Sequence, residues 1–277
     1  MPAITIDETL CIKDGLCSII CPFQIILPPK GENPPEPKPE FSKWCTSCGH
    51  CVSICPTGAL NHSSMNPEQC PPAQPELIPK PDQFEHMLRF RRSTRRFKKT
   101  PPEQKLIERI ITMASYAPSG HNLQPVKWQI FNKREDLNHL VGLVCDWMKH
   151  MLGEMPDAPH APLFQEVVTA WDEGKDLILH ESPYLVLAHS KIQTGTEPTD
   201  AAISLAYLDL AALSLGLGCC WAGLFTMAAK FWKPLEEFLE LPKGHQLHGA
   251  MMVGYPKLKF QRLPVRKKPS IQWKQNI

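Results

Sequence analysis

The pattern of apolar and polar positions changes character near residue 81. Beyond it, apolar residues recur with helical period at Leu106, Ile107, Ile110, Ile111 and Ala114, and Pro101-Pro102-Glu103 opens a helix predicted to reach Tyr116. Lys127–Phe131 reads as a short strand, Arg134–Leu152 as a helix and the unbroken apolar run Pro183–Ala188 as a buried strand. Thr199 or Asp200 is placed to cap a long apolar helix ending near Gly216 or Gly218. Thr226 is placed to cap another through Phe238, and Gly249–Gly254 reads as a further strand. Helices and strands mix without a βαβ rhythm, which predicts an α+β fold. The apolar stretch Ala201–Phe225 has the length of a membrane span. Asp209, three glycines and the lack of a basic flank favour a buried helix instead.

Before residue 81 no such periods occur. Residues 1–66 form a cysteine-dense module with two similar halves, and residues 67–81 read as a semi-rigid, proline-rich linker to a domain over 82–277. Between the halves, prolines at 28, 29, 34, 35, 37 and 39 exclude a helix or a central strand. The chain has 277 residues, 11 Cys and 29 Pro, and seven of the Cys fall between Cys11 and Cys55. Met1–Leu10 lacks a basic segment followed by an apolar run, so no signal peptide is expected. An odd, tightly spaced set of cysteines without an export signal points to metal ligation in a reducing, cytoplasmic setting rather than to disulfides. The net charge of +2 gives no whole-chain case for nucleic-acid binding.

Cys45, Cys48, Cys51 and Cys55-Pro56 carry the strongest signal. Three thiolates at three-residue steps wrap one iron–sulfur cubane, and the fourth, beside proline, serves a neighbouring cluster. Structural zinc uses two separated cysteine pairs, which this spacing does not provide. Cys70, Cys145, Cys219 and Cys220 fall outside the pattern and read as small buried apolar residues. His50 and His62 read as surface residues or neighbours of the ligands. Residues 4–60 resemble the bacterial two-cluster ferredoxins. That resemblance implies one cluster on Cys21, Cys45, Cys48 and Cys51, and another on Cys11, Cys17 and Cys55. Asp14 stands where the family has the remaining cysteine. A carboxylate is a harder ligand than a thiolate. An Asp-ligated 4Fe–4S cluster, a 3Fe–4S cluster and an iron-exchanging site all remain open, and an occupied 4Fe–4S site with Asp14 or solvent as fourth ligand is favoured.

Arg89–Lys99 contains seven basic and no acidic residues. A solvated run, a nucleic-acid arm and an anion pocket are the three readings. Arg91, Ser93 and Arg95 alternate, so an extended segment puts them on one side, where guanidinium forks and a hydroxyl suit a phosphate. Without interleaved aromatics, nucleic acid is the least favoured. No GxGxxG or GxxxxGK[ST] occurs, so neither common nucleotide fingerprint applies.

Arg91-Arg92-Ser93-Thr94-Arg95, Ala117-Pro118-Ser119-Gly120-His121-Asn122-Leu123-Gln124-Pro125, Leu215–Gly223 and Gly254-Tyr255-Pro256 with Arg262-Leu263-Pro264 together resemble the nitroreductase family of FMN enzymes. The resemblance implies an α+β homodimer with FMN at the subunit interface. It places Arg91, Ser93 and the adjacent Arg92 at the phosphate, and Arg95 at the pyrimidine edge of the flavin. Pro118, Ser119, Gly120 and Asn122 match a loop reaching the partner subunit's flavin. Ala222 and Gly223 match a turn beside the reactive nitrogen, and Arg262 matches a phosphate contact. Lys259 lies one step from a second basic position. No residue is singled out as a catalytic acid or base. The implied activity is electron transfer from the clusters to FMN and on to an organic acceptor: a nitroaromatic, a quinone, an activated alkene or a halogenated aromatic. The electron donor is reduced ferredoxin or flavodoxin, or NAD(P)H. A non-catalytic redox sensor or electron carrier is the rival reading, and neither membrane nor nucleic acid is an expected partner.

Overall fold

The computed structural model describes residues 3–274, without the side chains of residues 41 and 42. It has two compact units. Residues 1–79 and 119–123 make the first, and 80–118 with 124–277 make the second.

The first unit is built from very short elements: β1 (Ile4–Ile6), α1 (Leu16–Ile20), β2 (Ile26–Leu27), β3 (Glu36–Pro37), α2 (His50–Ile54) and β4 (Leu60–His62). Strand β1 pairs antiparallel with β4, and β2 with β3. The two halves repeat with an offset of 34 residues, down to the backbone. Lys13 and Ser47 both have positive φ (61° and 51°), as do Gly15 and Gly49 (73° and 75°) and Gln24 and Gly58 (52° and 69°). The proline-rich connection supplies a two-residue ladder, an isolated bridge between Lys30 and Asn33 and a short 3-10 turn over Pro39–Trp44, because proline donates nothing to a longer ladder.

The second unit opens with α3 (Pro81–Phe90), an extended basic segment and α4 (Gln104–Ala114). Then follow β5 (Lys127–Phe131), α5 (Arg134–Glu154), α6 (Ala161–Asp172), β6 (Tyr184–Lys191), α7 (Glu197–Ser214), β7 (Gly218–Trp221), α8 (Gly223–Phe231), α9 (Lys233–Leu239) and β8 (His245–Gly254). Its sheet is antiparallel throughout, in the order β5-β6-β8-β7. Both faces of β6 are buried, which is why its sequence is continuously apolar rather than alternating. Tyr184, Val186 and Ala188 pack with α4 and α7; Leu185 and Leu187 pack with α5, α6 and α8. The mixed helix and antiparallel sheet is the α+β class. Among the described residues, no helix is long and apolar enough to cross a membrane.

Several boundaries differ from the pattern. Helix α7 begins at Glu197, before Thr199 and Asp200, because the buried Glu197 carboxylate gathers the backbone N–H groups of Gln193, Thr194 and Gly195 at 2.9 Å each. Thr226 lies inside α8, its hydroxyl donating to the Ala222 carbonyl; the apolar run then breaks at Trp232, where Pro234 starts α9. Helix α6, rich in β-branched and aromatic residues, had no cap signal to announce it. Cys145, Cys219 and Cys220 are buried, but Cys70 is exposed and corrects the expectation for that residue.

Two stability tests follow from this packing. A Cβ on Gly254 would meet Phe97 and Pro183 at 2.7 Å, whereas one on Gly142, inside α5, would meet nothing within 4 Å. In chemical denaturation, Gly254→Ala is expected to lose about 1–3 kcal/mol and Gly142→Ala to gain about 0.5–1 kcal/mol. The bonds from Thr194 and its neighbours hold Glu197 down to about 2, below its ordinary 4.5. Its contribution to stability is therefore full above about pH 4.5 and is lost as the pH falls toward 2. Denaturation midpoints of Glu197→Gln should be lower at neutral pH and fall less steeply across that window than those of the unsubstituted protein.

Candidate functional site

Two small cavities in the first unit collect the metal-ligand candidates. Cys21, Cys45, Cys48 and Cys51 wall one, with His62 beside them. Cys11, Asp14, Cys17 and Cys55 wall the other. Each of α1 and α2 begins after a left-handed glycine, Gly15 or Gly49, so the chain turns sharply enough to aim successive ligands into one hollow. Asp14 occupies the backbone position equivalent to Cys48, and its Oδ1 accepts the N–H of Leu16 at 3.1 Å. Among the described residues, no three such side chains converge as they would on a single metal ion.

The donor chemistry fits clusters. Burial raises the Cys17 thiol above its ordinary value and pushes Cys51 up to about 11, with Cys48 and Cys45 adding to the latter. Burial also raises Cys55, but hydrogen bonds from Leu60, Thr57 and Ala59 outweigh it and leave that thiol lowered. Such thiols become thiolates when metal charge compensates them. His62, buried at 5% exposure, places Nε2 3.6 Å from Cys45 Sγ. Of the two readings the sequence offered for His62, this is the neighbour of the ligands and not the surface residue.

The loop residues Ser119, Gly120 and Asn122 group with the first unit. The Asn122 amide donates to the carbonyls of Thr46 (3.2 Å) and Ser47 (2.9 Å), inside the Cys45–Cys48 loop. His121 and Asn122 both adopt left-handed backbone. Pro118, just before this loop, is exposed and belongs to the second unit.

In the second unit a cavity of about 480 Å³ is lined by Arg91, Arg92, Lys98 and Lys259, together with Thr94, Asp209 and Tyr255. The basic segment is extended and lies along the edge strand β7, with the Thr94 N–H donating to the Cys219 carbonyl at 2.8 Å. Gly218 makes this approach possible, since a Cβ there would overlap the Thr94 side chain. From the basic segment the cavity wall takes Arg91, Arg92, Thr94 and Lys98, not the alternating set: Ser93 and Arg95 are outside the lining and act with Arg91 to lower the Cys220 thiol, which burial raises overall. Arg91 also pairs with Asp209 at 3.2 Å. Burial raises the Asp209 carboxyl, and Arg91 partly offsets this. Asp209, the one acidic residue in the apolar stretch Ala201–Phe225, was the sequence signal for that counter-ion. Arg95 and Arg96 are exposed, Ala222 is buried at the start of α8, Gly223 is exposed, and Arg262 lies in the exposed segment that follows the cavity wall. Four basic side chains supply charge suited to a phosphate, while Phe90, Leu213, Leu217, Leu258 and Phe260 make much of the remaining wall apolar.

Comparison with known proteins agrees with this chemistry. Residues 88–255 match the model of the Nitroreductase family, and residues 10–60 match a 4Fe-4S dicluster domain. The chain is 26% identical over 170 residues to an iodotyrosine deiodinase of Thermotoga neapolitana, covering 61% of this chain and 87% of that protein. A nitroreductase with bound FMN from Desulfitobacterium hafniense shares the fold at a TM-score of 0.57 and 20% identity, over 69% of this chain and 97% of the other. A BluB-like flavoprotein from Clostridium difficile does so at a TM-score of 0.56 and 20% identity, over 67% and 94%. The chain belongs to the nitroreductase family, as an FMN-dependent oxidoreductase that also carries a 4Fe-4S ferredoxin-type domain.

Proposed function

We propose that this protein takes up electrons singly and delivers them in pairs to an organic acceptor: a nitroaromatic, a quinone, an activated alkene or a halogenated aromatic. The observation that carries the reading is the presence, in one chain, of two cavities each walled by four ligand candidates and a third cavity lined by four basic side chains. When bound, the clusters supply one-electron chemistry and FMN supplies two-electron chemistry. Cys21, Cys45, Cys48 and Cys51 would hold one 4Fe–4S cluster. Cys11, Cys17 and Cys55 would hold the other, with Asp14 or solvent completing it.

Arg91, Arg92 and Lys259 would bind the FMN phosphate, with Ser93 and Arg262 contributing. Asp209 keeps the Arg91 guanidinium in place, because a paired side chain is already oriented. Arg95 would hold positive charge near the pyrimidine edge of the ring, stabilising its anionic reduced form. The Ala222–Gly223 turn would lie beside the reactive nitrogen, and Pro118, Ser119, Gly120 and Asn122 would line the flavin of a partner subunit in a homodimer. Reduced ferredoxin, flavodoxin or NAD(P)H would be the donor, in a reducing compartment such as the cytoplasm. The deiodinase relative supports halogenated aromatics as one acceptor class.

Anaerobically purified protein should contain both flavin and iron and should be reoxidised by at least one acceptor class. Iron without flavin would overturn the flavin assignment, and flavin without iron the electron-entry role. Arg91→Ala should weaken FMN retention by roughly ten- to a hundredfold, the loss of one charge-assisted contact. Asp14→Cys should keep the iron content at that of two full cubanes, slow the loss of iron on oxidation, and remove any 3Fe–4S signal from the electron paramagnetic resonance spectrum of the oxidised protein.

A further inference from the structure

We infer that His62 tunes the cluster on Cys21, Cys45, Cys48 and Cys51, by donating its Nε2–H to the Cys45 thiolate and so raising that cluster's reduction potential. The inference rests on the proposed function, because it requires that cluster to be present. The geometry fixes which way the hydrogen bond runs. His62 and Met65 close a tight turn by exchanging backbone hydrogen bonds, at 3.2 Å and 2.9 Å. Within the turn the Ser64 N–H, which can only donate, lies 3.1 Å from His62 Nδ1, and the Ser64 hydroxyl lies 2.8 Å from the same atom. Nδ1 is therefore the acceptor nitrogen, and the neutral ring carries its proton on Nε2. That nitrogen lies 3.6 Å from Cys45 Sγ, and a ligating thiolate has no proton to offer in return.

Reduction adds negative charge to the cluster and its sulfurs. A donor aimed at a ligating sulfur stabilises the reduced form more than the oxidised one, which moves the potential upward. The ring is buried, so water does not compete for the contact. The other half of the module has no histidine at the matching place. Pro28 stands 34 residues before His62, at the matching place after β2, and it has neither an N–H nor a side-chain donor. On that side the hydroxyl of Thr57 lies 3.7 Å from Cys55 Sγ, at an exposed position where water competes.

The test is a potentiometric titration of the full chain with clusters and flavin in place, followed by electron paramagnetic resonance. His62→Phe and His62→Met, both without a donor, should shift the all-cysteine cluster to a more negative potential and leave the Asp14-containing cluster where it was. His62→Gln, which keeps an N–H donor, should recover part of the shift. An unmoved potential in a fully loaded Phe or Met variant overturns the inference alone, as does an equal shift of both clusters. A purified chain with no 4Fe–4S cluster overturns the proposed function and this inference together. Should neither donorless variant assemble, nitrogen NMR of the oxidised, unsubstituted protein decides, since a His62 proton on Nδ1 rather than Nε2 would overturn the inference.

Discussion

The first unit has too little apolar burial to stand by itself. Its core consists of Ile4, Cys17, Ile25, Ile26, Val52 and Leu60, and one of these is a ligand candidate. In a unit of this size an apolar core rarely supplies more than about 3–5 kcal/mol. Ligand bonds from residues far apart in sequence have to hold it together, and much of its local structure answers to that need. The left-handed turns at Lys13, Gly15, Ser47 and Gly49 bring ligands three residues apart into one hollow. The prolines between the halves reduce the freedom of the unfolded chain, which lowers the entropy lost on folding.

The second unit is stabilised in the opposite way. The central pair β6 and β8 is covered on both faces, and its edge strand β7 then becomes useful. An exposed edge offers unpaired carbonyls. The Cys219 carbonyl takes the Thr94 N–H, and this fastens a highly charged segment to an apolar scaffold. Arg91 meets Asp209 from α7, so a helix buried in the core also supplies the counter-ion that orients the cationic cavity. Packing and site chemistry share the same elements, Gly218 and α7 among them. Substitutions that loosen the core on this side would therefore disturb the cavity too.

Elements whose apolar residues follow a clear period were legible in the sequence. Lys127–Phe131 is a strand with those bounds, and the helices over α4 and α5 match to within a few residues. Legibility failed where side chains, rather than propensity, set the boundary. Glu197 starts α7 by gathering N–H groups from the preceding loop, a tertiary arrangement that no cap pattern at Thr199 or Asp200 reveals. The ligand cysteines announce themselves by spacing, because their chemistry demands local clustering. His62 and Asp209 could be noticed, one near the cysteine motif and one in an apolar stretch, but their partners lie 17 and 118 residues away, so spacing does not pair them. The grouping of Ser119–Leu123 with the first unit was equally invisible, although the Asn122 amide that helps to hold it there lies in a motif the sequence did expose.

The 34-residue repeat makes the differences between the two ligand sets interpretable. Where two halves share turns, helices and left-handed positions, unequal behaviour has to come from side chains rather than from backbone geometry. Two of the places where those side chains differ bear directly on the ligands. Asp14 stands where the second half has Cys48, which exchanges a soft donor for a hard one and loosens the grip on iron at that corner. Pro28 stands where the second half has His62, which leaves the first half without an imidazole at that place. The Cys21–Cys45–Cys48–Cys51 set consists of four soft candidates with a buried imidazole beside it, while the Asp14 set has one hard donor and, at Cys55, hydrogen bonds from Leu60, Thr57 and Ala59. The Asn122 amide also fastens the loop of the former. With this asymmetry the two sets of ligand candidates are not interchangeable, and the all-cysteine set is also the one tied to the segment 119–123.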